Sequence, residues 1–166
     1  MKKHKLKTNQ NGIYFALMFS MNKLLILATL FLTLGASSQE NPVLWKIDYN
    51  KESASIHYKA VIDLDWHLYA AHLPSPDEGP LPTEFKYIDS DHYQLTGQLI
   101  ESKPIKTFDD NFGVDVSYFE NSAEFSQQIK VTSSDQFSVS GKIYYMVCNE
   151  EMCIPFEDDF SIKITP

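Results

Sequence analysis

Residues 137–147, FSVSGKIYYMV, alternate between one apolar and one more polar position almost without interruption. A period of two is typical of a β-strand that places one face against a core. On this pattern Ile143, Tyr145 and Val147 share the inward face. The chain's only two cysteines follow at once, in residues 148–153, CNEEMC, with Pro155 just beyond. The stretch therefore predicts a strand that ends in a tight, cysteine-bearing bend.

The same alternation recurs along the rest of the chain. It predicts strands at residues 45–49, 56–62 continuing through 64–68, 93–99, 114–118, 123–131 and 160–164. Turn-forming segments such as residues 74–80, PSPDEGP, and 109–113, DDNFG, separate these runs. Seven or eight short strands without helical periodicity predict an all-β fold, an immunoglobulin-like antiparallel β-sandwich. A small β-barrel would show much the same pattern.

The parity of the runs also predicts which side chains face the core. Inward-facing positions of two packed sheets fill the space between them, so these residues should be buried. The predicted inward set is Trp45, Ile62, Trp66, Leu95, Leu99, Phe125, Val139, Ile143 and Ile162.

The first 38 residues have a different character from the remainder. Lys23 precedes an apolar run at residues 24–34, and small residues follow at 35–38, which is the order of a secretory signal with cleavage after Ser38. The run is shorter than the ~20 residues that span a bilayer, so cleavage is favoured over a retained anchor. Lysines within residues 1–20 belong either to an extended leader or to a segment upstream of a start at Met21. We expect a leader and signal at 1–38 and one domain at 39–166, periplasmic or otherwise exported and soluble.

The charge of the chain limits its partners. The formal net charge is −8, and loss of residues 1–38 would remove five of 14 lysines and no acid, leaving 9 against 22 and a charge of −13. There is no arginine. Such a surface repels phosphate backbones and anionic membranes, so we expect neither nucleic-acid binding nor a stable membrane association.

The spacing of Cys148 and Cys153 leaves a passive hairpin disulfide and a redox-active pair evenly balanced. A bond that closes so short a loop stabilises a fold by only about 2 kcal/mol, and the close spacing suits thiol–disulfide exchange. Zinc binding fails on the ligand count, since His57, His67, His72 and His92 form no second close pair with a cysteine. No metal or other cofactor is expected.

Carboxylates dominate the sequence around the two cysteines. Glu150 and Glu151 lie between them, and residues 157–159 are all acidic. Nearby carboxylates disfavour a thiolate, and no basic side chain lies within the loop. The thiols should therefore react slowly with small oxidants and depend on a docked partner.

Three segments resemble one known family. Residues 141–155, GKIYYMVCNEEMCIP, resemble the active-site hairpin of DsbD N-terminal domains, in the form Tyr-x-x-Cys-x4-Cys-x-Pro. Residues 65–69, DWHLY, resemble the family's aromatic strand, and residues 79–83, GPLPT, its proline-rich loop. The likeness runs from about Trp45 to Ile164.

The resemblance implies roles for individual residues. Cys153 would form the mixed disulfide with a partner and Cys148 would resolve it. Residues 109–113 look like the family's cap loop, with Phe112 as an aromatic lid, Asp109 and Asp110 before it, and Gly113 as the flexible position; without the resemblance, Phe112 would be read as packing at a turn. His67 and Tyr69 lie on the face opposite Trp66 and Leu68, so by parity they are not core. The resemblance places comparable residues at the border of the site.

The resemblance also implies partners. Family members take electrons from a thioredoxin-like domain and pass them to exported redox proteins, as thiol:disulfide oxidoreductases of the protein-disulfide reductase type. This sequence contains no thioredoxin-like Cys-x-x-Cys, so we expect a separate donor protein and leave the direction of electron flow open. The alternative is a non-enzymatic sandwich that binds an exported protein and carries a structural hairpin disulfide.

Overall fold

Ten β-strands and no helix make up the part of the chain that the computed structural model describes, residues 40–166. The strands are β1 (Val43–Asn50), β2 (Ser55–Ile62), β3 (His67–Tyr69), β4 (Glu84–Tyr87), β5 (Tyr93–Glu101), β6 (Ile105–Asp109), β7 (Val114–Glu120), β8 (Ser122–Val131), β9 (Phe137–Cys148) and β10 (Cys153–Ile164). The predicted leader and signal lie outside the described residues. No helix among residues 40–166 is long and apolar enough to cross a membrane.

The strands form two antiparallel sheets. One has four strands in the order β1-β2-β8-β5. The other has six, in the order β10-β9-β3-β7-β6, with β4 also paired to β9. Strands β3 and β4 follow one another along the same side of β9, since β3 pairs with Cys148 and Val147 and β4 with residues 141–144. Strand β9 is therefore the central partner of three others.

One apolar core joins the two sheets. Buried side chains come from β2 and β8 of the first sheet and from β3, β9 and β10 of the second, and they include Ile56, Tyr58, Phe125, Leu68, Val139, Ile143, Tyr145 and Phe160. Each sheet ends in unpaired edge strands, so the architecture is a sandwich and not a closed barrel. The predicted all-β antiparallel sandwich is confirmed.

The predicted inward set is correct at most of its positions. Ile62, Phe125, Val139 and Ile143 are buried, and a further four pack against the core while partly exposed, namely Trp45, Trp66, Leu99 and Ile162. The prediction was wrong for Leu95, which is 47% exposed on β5, an edge strand of its sheet, next to the register irregularity between Thr96 and Ile100.

The predicted strands differ from the observed ones in four places. The run through residues 56–68 is broken, because β2 ends at Ile62 and Asp65 adopts a positive φ of 67° in the turn before β3. That turn leaves Leu64 80% exposed. Strands β4 and β6 were not predicted, and β10 starts at Cys153, well before residue 160. Short edge strands carry too few alternations to stand out from loops.

Gly141 allows β4 to pack closely against β9. A Cβ added at this position would lie 2.1 Å from the Lys86 backbone oxygen and 2.8 Å from the Phe160 ring. Both neighbours belong to strands paired with β9, so neither is free to withdraw.

We predict that Gly141→Ala lowers the free energy of unfolding by about 3 kcal/mol, the upper part of the usual range for overpacking. The measurement is urea unfolding with the disulfide intact. Ser140→Ala is the matched control, because the Ser140 hydroxyl only contacts the Ser161 hydroxyl at an exposed position, and it should cost less than about 1 kcal/mol. Equal stabilities of the two variants would contradict the close packing at Gly141.

Candidate functional site

The two cysteines are brought together by strand pairing. Cys148 ends β9, Cys153 begins β10, and the register places them directly opposite one another. They form a disulfide with a Cα–Cα distance of 4.1 Å. The tip of the hairpin is closed by a hydrogen bond from Asn149 N to Met152 O (2.9 Å), and Asn149 Oδ1 accepts the amides of Glu151 and Met152. The predicted cysteine-bearing bend is thus a hairpin with a self-capped tip.

The two cysteines differ in their exposure. Cys148 is only 2% exposed, whereas Cys153 is an exposed residue at the start of the edge strand β10. A protein that approaches the hairpin tip therefore reaches Cys153 first.

Cys148 lies on the outer face of the six-stranded sheet. On β3, His67 is the direct partner of Cys148, and on the next strand Glu120 is the direct partner of His67. Directly opposite residues in a sheet point to the same face, so Cys153, Cys148, His67 and Glu120 form one row across four strands. Glu120 was not predicted as a site residue, because nothing in its local sequence marks it as a neighbour of the cysteines.

A small second core lies beside this row. Its buried members are Cys148, Tyr69 and Val116, and it is completed by Leu73, Phe112, Val114, Tyr118 and Met146. The structure therefore places both predicted border residues, His67 and Tyr69, on the face that carries Cys148. This cluster buries Cys148 on the face turned away from the main core.

Asp109 fixes the cap loop, residues 109–113, at the tip of the β6–β7 hairpin. Its Oδ1 accepts hydrogen bonds from the backbone amides of Asn111 (2.9 Å) and Phe112 (3.3 Å), and its backbone oxygen accepts one from the amide of Gly113 (2.7 Å). Its Oδ2 accepts a hydrogen bond from the Tyr69 hydroxyl (3.1 Å). Gly113 has φ +72°, a conformation that favours glycine. These bonds fold the loop back over the outer face of the sheet.

Phe112 is the part of the cap loop that reaches the second core. Its ring meets the Tyr69 ring edge-to-face with centroids 6.1 Å apart, and it packs in the same cluster as Cys148. Asp110 is exposed. The structure thus brings Phe112 and Asp109 to the cysteine site and leaves Asp110 at the surface of the loop.

An acidic groove of about 840 Å³ opens beside the hairpin tip that links the two cysteines. It is lined by the turn before β3, by the hairpin tip and by Asn111 of the cap loop, and its carboxylates are Asp63, Asp65, Glu120, Glu150 and Glu151. Negative charge at this density raises the cost of forming a thiolate nearby. Among residues 40–166, no group of three or more His, Cys, Asp or Glu side chains is arranged to hold a metal ion.

Burial shifts the pKa values of the ionisable side chains beside Cys148. It lowers the pKa of His67, although the negative charges of Asp109 and Glu120 act to raise it. Burial, followed by the charge and hydrogen bond of Asp109, raises the pKa of the Tyr69 hydroxyl. Both groups are therefore held in their neutral forms at neutral pH.

Comparisons with known proteins agree with this geometry. The family described as "Thiol:disulfide interchange protein DsbD, N-terminal" matches residues 38–164. The reduced DsbD N-terminal domain of Neisseria meningitidis superposes with a TM-score of 0.57 at 17% identity, covering 80% of this chain and 95% of that one. A structure of the complex between the DsbD N-terminal and PilB N-terminal domains from Neisseria meningitidis matches with a TM-score of 0.51 at 15% identity, covering 76% of this chain and 88% of that one. A search of curated proteins gave no match.

The described domain is an immunoglobulin-like antiparallel β-sandwich with a disulfide at the tip of one hairpin. The match over residues 38–164 shows that the chain belongs to the DsbD N-terminal domain family. The family resemblance drawn from the hairpin, the aromatic strand and the proline-rich loop is confirmed.

We predict that Phe112→Ala exposes Cys148. In a Cys153→Ala background the single Cys148 thiol should react slowly with N-ethylmaleimide, and removal of the Phe112 ring should speed this alkylation several-fold because the thiol loses an apolar cover. Phe108→Ala is the matched control, since Phe108 lies in β6 and is already 56% exposed. Alkylation rates that do not differ between the two variants would show that Phe112 does not shield Cys148.

Proposed function

We propose that this chain is an exported thiol:disulfide interchange module. It takes electrons from a separate thioredoxin-like protein and passes them to exported redox proteins through the Cys148–Cys153 pair. Support comes from the family membership and from the disulfide at an accessible hairpin tip. The single observation that carries the proposal is that Cys148 is buried while Cys153, to which it is bonded, is exposed.

The unequal exposure supports a division of labour between the cysteines. In the reduced form, the Cys153 thiolate attacks a sulfur of a partner's disulfide, and the partner's other sulfur leaves as a thiolate. The buried Cys148 thiolate then attacks Cys153 Sγ, which re-forms the internal disulfide and releases the partner as a dithiol. The partner gains two electrons, and a thioredoxin-like dithiol restores the reduced pair by the reverse sequence.

The cap loop supports the requirement for a docked partner. Phe112 packs against the cluster that buries Cys148, while the acidic groove beside the hairpin disfavours a free thiolate. A partner that displaces the loop would remove the first restraint, and basic side chains of that partner paired with the groove carboxylates would remove the second. The Neisseria DsbD N-terminal domain forms a complex with a PilB N-terminal domain, which supports a protein as the exchange partner here.

We predict that Cys148→Ala accumulates mixed disulfides with partner proteins in the exporting cell, because Cys153 still attacks but nothing resolves the product. Cys153→Ala should trap few or none, since the remaining thiol is buried. The measurement is non-reducing electrophoresis followed by identification of the captured proteins. Stronger trapping by Cys153→Ala would overturn the assignment of the attacking cysteine.

A structural role for the disulfide gives a different result. If the bond only stabilised the hairpin, a thioredoxin-like reductant would leave it closed under native conditions. Exchange-active pairs have reduction potentials above the roughly −300 mV that is typical of structural bridges. The redox role predicts a potential above that value and an intact fold after reduction, both measurable with purified protein.

A further inference from the structure

His67 lies next to the resolving cysteine of the proposed cycle. It is the direct partner of Cys148 on the neighbouring strand, so the two side chains leave the sheet on the same face, with Cβ atoms about 5 Å apart by the usual geometry of such pairs. It also lines the groove at the hairpin. Neither the spacing of the cysteines nor their loop sequence shows this neighbour.

Hydrogen bonding determines which nitrogen of the neutral His67 ring carries the hydrogen. The Tyr69 hydroxyl donates its single hydrogen to Asp109 Oδ2 (3.1 Å), so at the 3.3 Å contact with His67 Nε2 it acts as the acceptor. His67 Nε2 therefore carries the hydrogen, and Nδ1 keeps its free lone pair. The chain His67–Tyr69–Asp109 holds the ring in the tautomer that can accept a proton at Nδ1.

The surroundings of His67 favour a neutral ring that becomes charged only when a proton is delivered. Burial lowers its pKa, while Asp109 from the cap loop and Glu120 from β7 act in the opposite direction. Tyr118 contributes a ring 4.8 Å from the His67 ring. The two carboxylates stabilise the imidazolium once it forms, and imidazole is a stronger base than either of them.

We propose that His67 Nδ1 accepts the proton of the Cys148 thiol when Cys148 resolves the mixed disulfide on Cys153. The S–H bond of Cys148 breaks as the proton moves to His67. The Cys148–Cys153 bond forms, the bond between Cys153 and the partner's sulfur breaks, and the partner leaves as a thiolate that takes the proton from His67 or from water. The inference rests on the proposed attack by Cys153 and names the group that activates the second cysteine.

The test uses the reduced full domain and 5,5′-dithiobis(2-nitrobenzoate), so it needs no protein partner. Attack by Cys153 releases one nitrothiolate, and resolution by Cys148 releases the second, which gives two phases at 412 nm in stopped flow. We expect His67→Gln to slow the second phase at least about 10-fold at neutral pH, with a much smaller effect on the first. Glutamine still donates to the Tyr69 hydroxyl but offers no basic nitrogen.

The pH profile separates proton transfer from a structural effect. In the unchanged protein, the rate of the second phase should rise twice as the pH is raised. The first rise accompanies the deprotonation of His67, at a pH below the ordinary histidine pKa, and the second accompanies the ionisation of the Cys148 thiol. His67→Gln should keep only the second rise. Tyr69→Phe, which removes the acceptor for Nε2 but keeps the ring, should slow the second phase to a lesser degree.

His57→Gln is the matched control, because His57 lies in β2 of the four-stranded sheet and contacts Ser55. It should leave both phases unchanged. An unaltered second phase in His67→Gln, or an equal slowing of both phases, would overturn the inference. Trapping by Cys148→Ala remains an independent test of the cycle, so failure of the one is distinguishable from failure of the other.

Discussion

The pairing of β9 with strands on both sides is the constraint on which the site depends. On one side β10 places Cys153 opposite Cys148, and on the other β3 places His67 there. A slip of one residue in either register would turn the paired side chain to the opposite face of the sheet. Buried residues of β9 such as Val139 and Ile143 oppose such a slip, because the same register keeps their side chains in the core. Core packing therefore fixes the geometry of the sulfurs.

The six-stranded sheet has an apolar cluster on each face near the hairpin. Its inner face packs against the four-stranded sheet, and its outer face carries the second core of Tyr69, Val116 and Cys148 under Phe112. The outer cluster is small and is closed by a hairpin loop whose hydrogen bonds converge on Asp109. Regions that rest on few buried contacts open at lower free-energy cost than the core. The loop that carries Phe112 can therefore open without unfolding of the sandwich.

Electrostatics and burial act together at the cysteines. The groove carboxylates make a free thiolate costly, which slows unwanted reactions, while a histidine in the row beside Cys148 supplies a base close to the buried thiol. His67 is itself kept neutral by burial and is oriented by Tyr69 and Asp109. Asp109 therefore takes part in both the anchoring of the cap loop and the orientation of the ring. Asp109 is the common hydrogen-bond acceptor of the loop that carries Phe112 and of the Tyr69 hydroxyl beside His67.

The sequence alone determined the all-β class and the hairpin that carries both cysteines, because period-two alternation and close spacing are local properties of the chain, and its three motif segments identified the family. The choice of an open sandwich over a closed barrel came from the strand order of the two sheets. The sequence also identified His67, Tyr69 and Phe112 as candidates, through parity and resemblance. Only the tertiary structure decided that β3 lies beside β9, that Glu120 joins the same row and that Phe112 packs in the same cluster as Cys148. It likewise decided the short strands β4 and β6 and the exposure of Leu95. Alternation reports which face a residue takes, whereas the choice of neighbouring strand and of sheet edge depends on pairing between segments far apart in sequence.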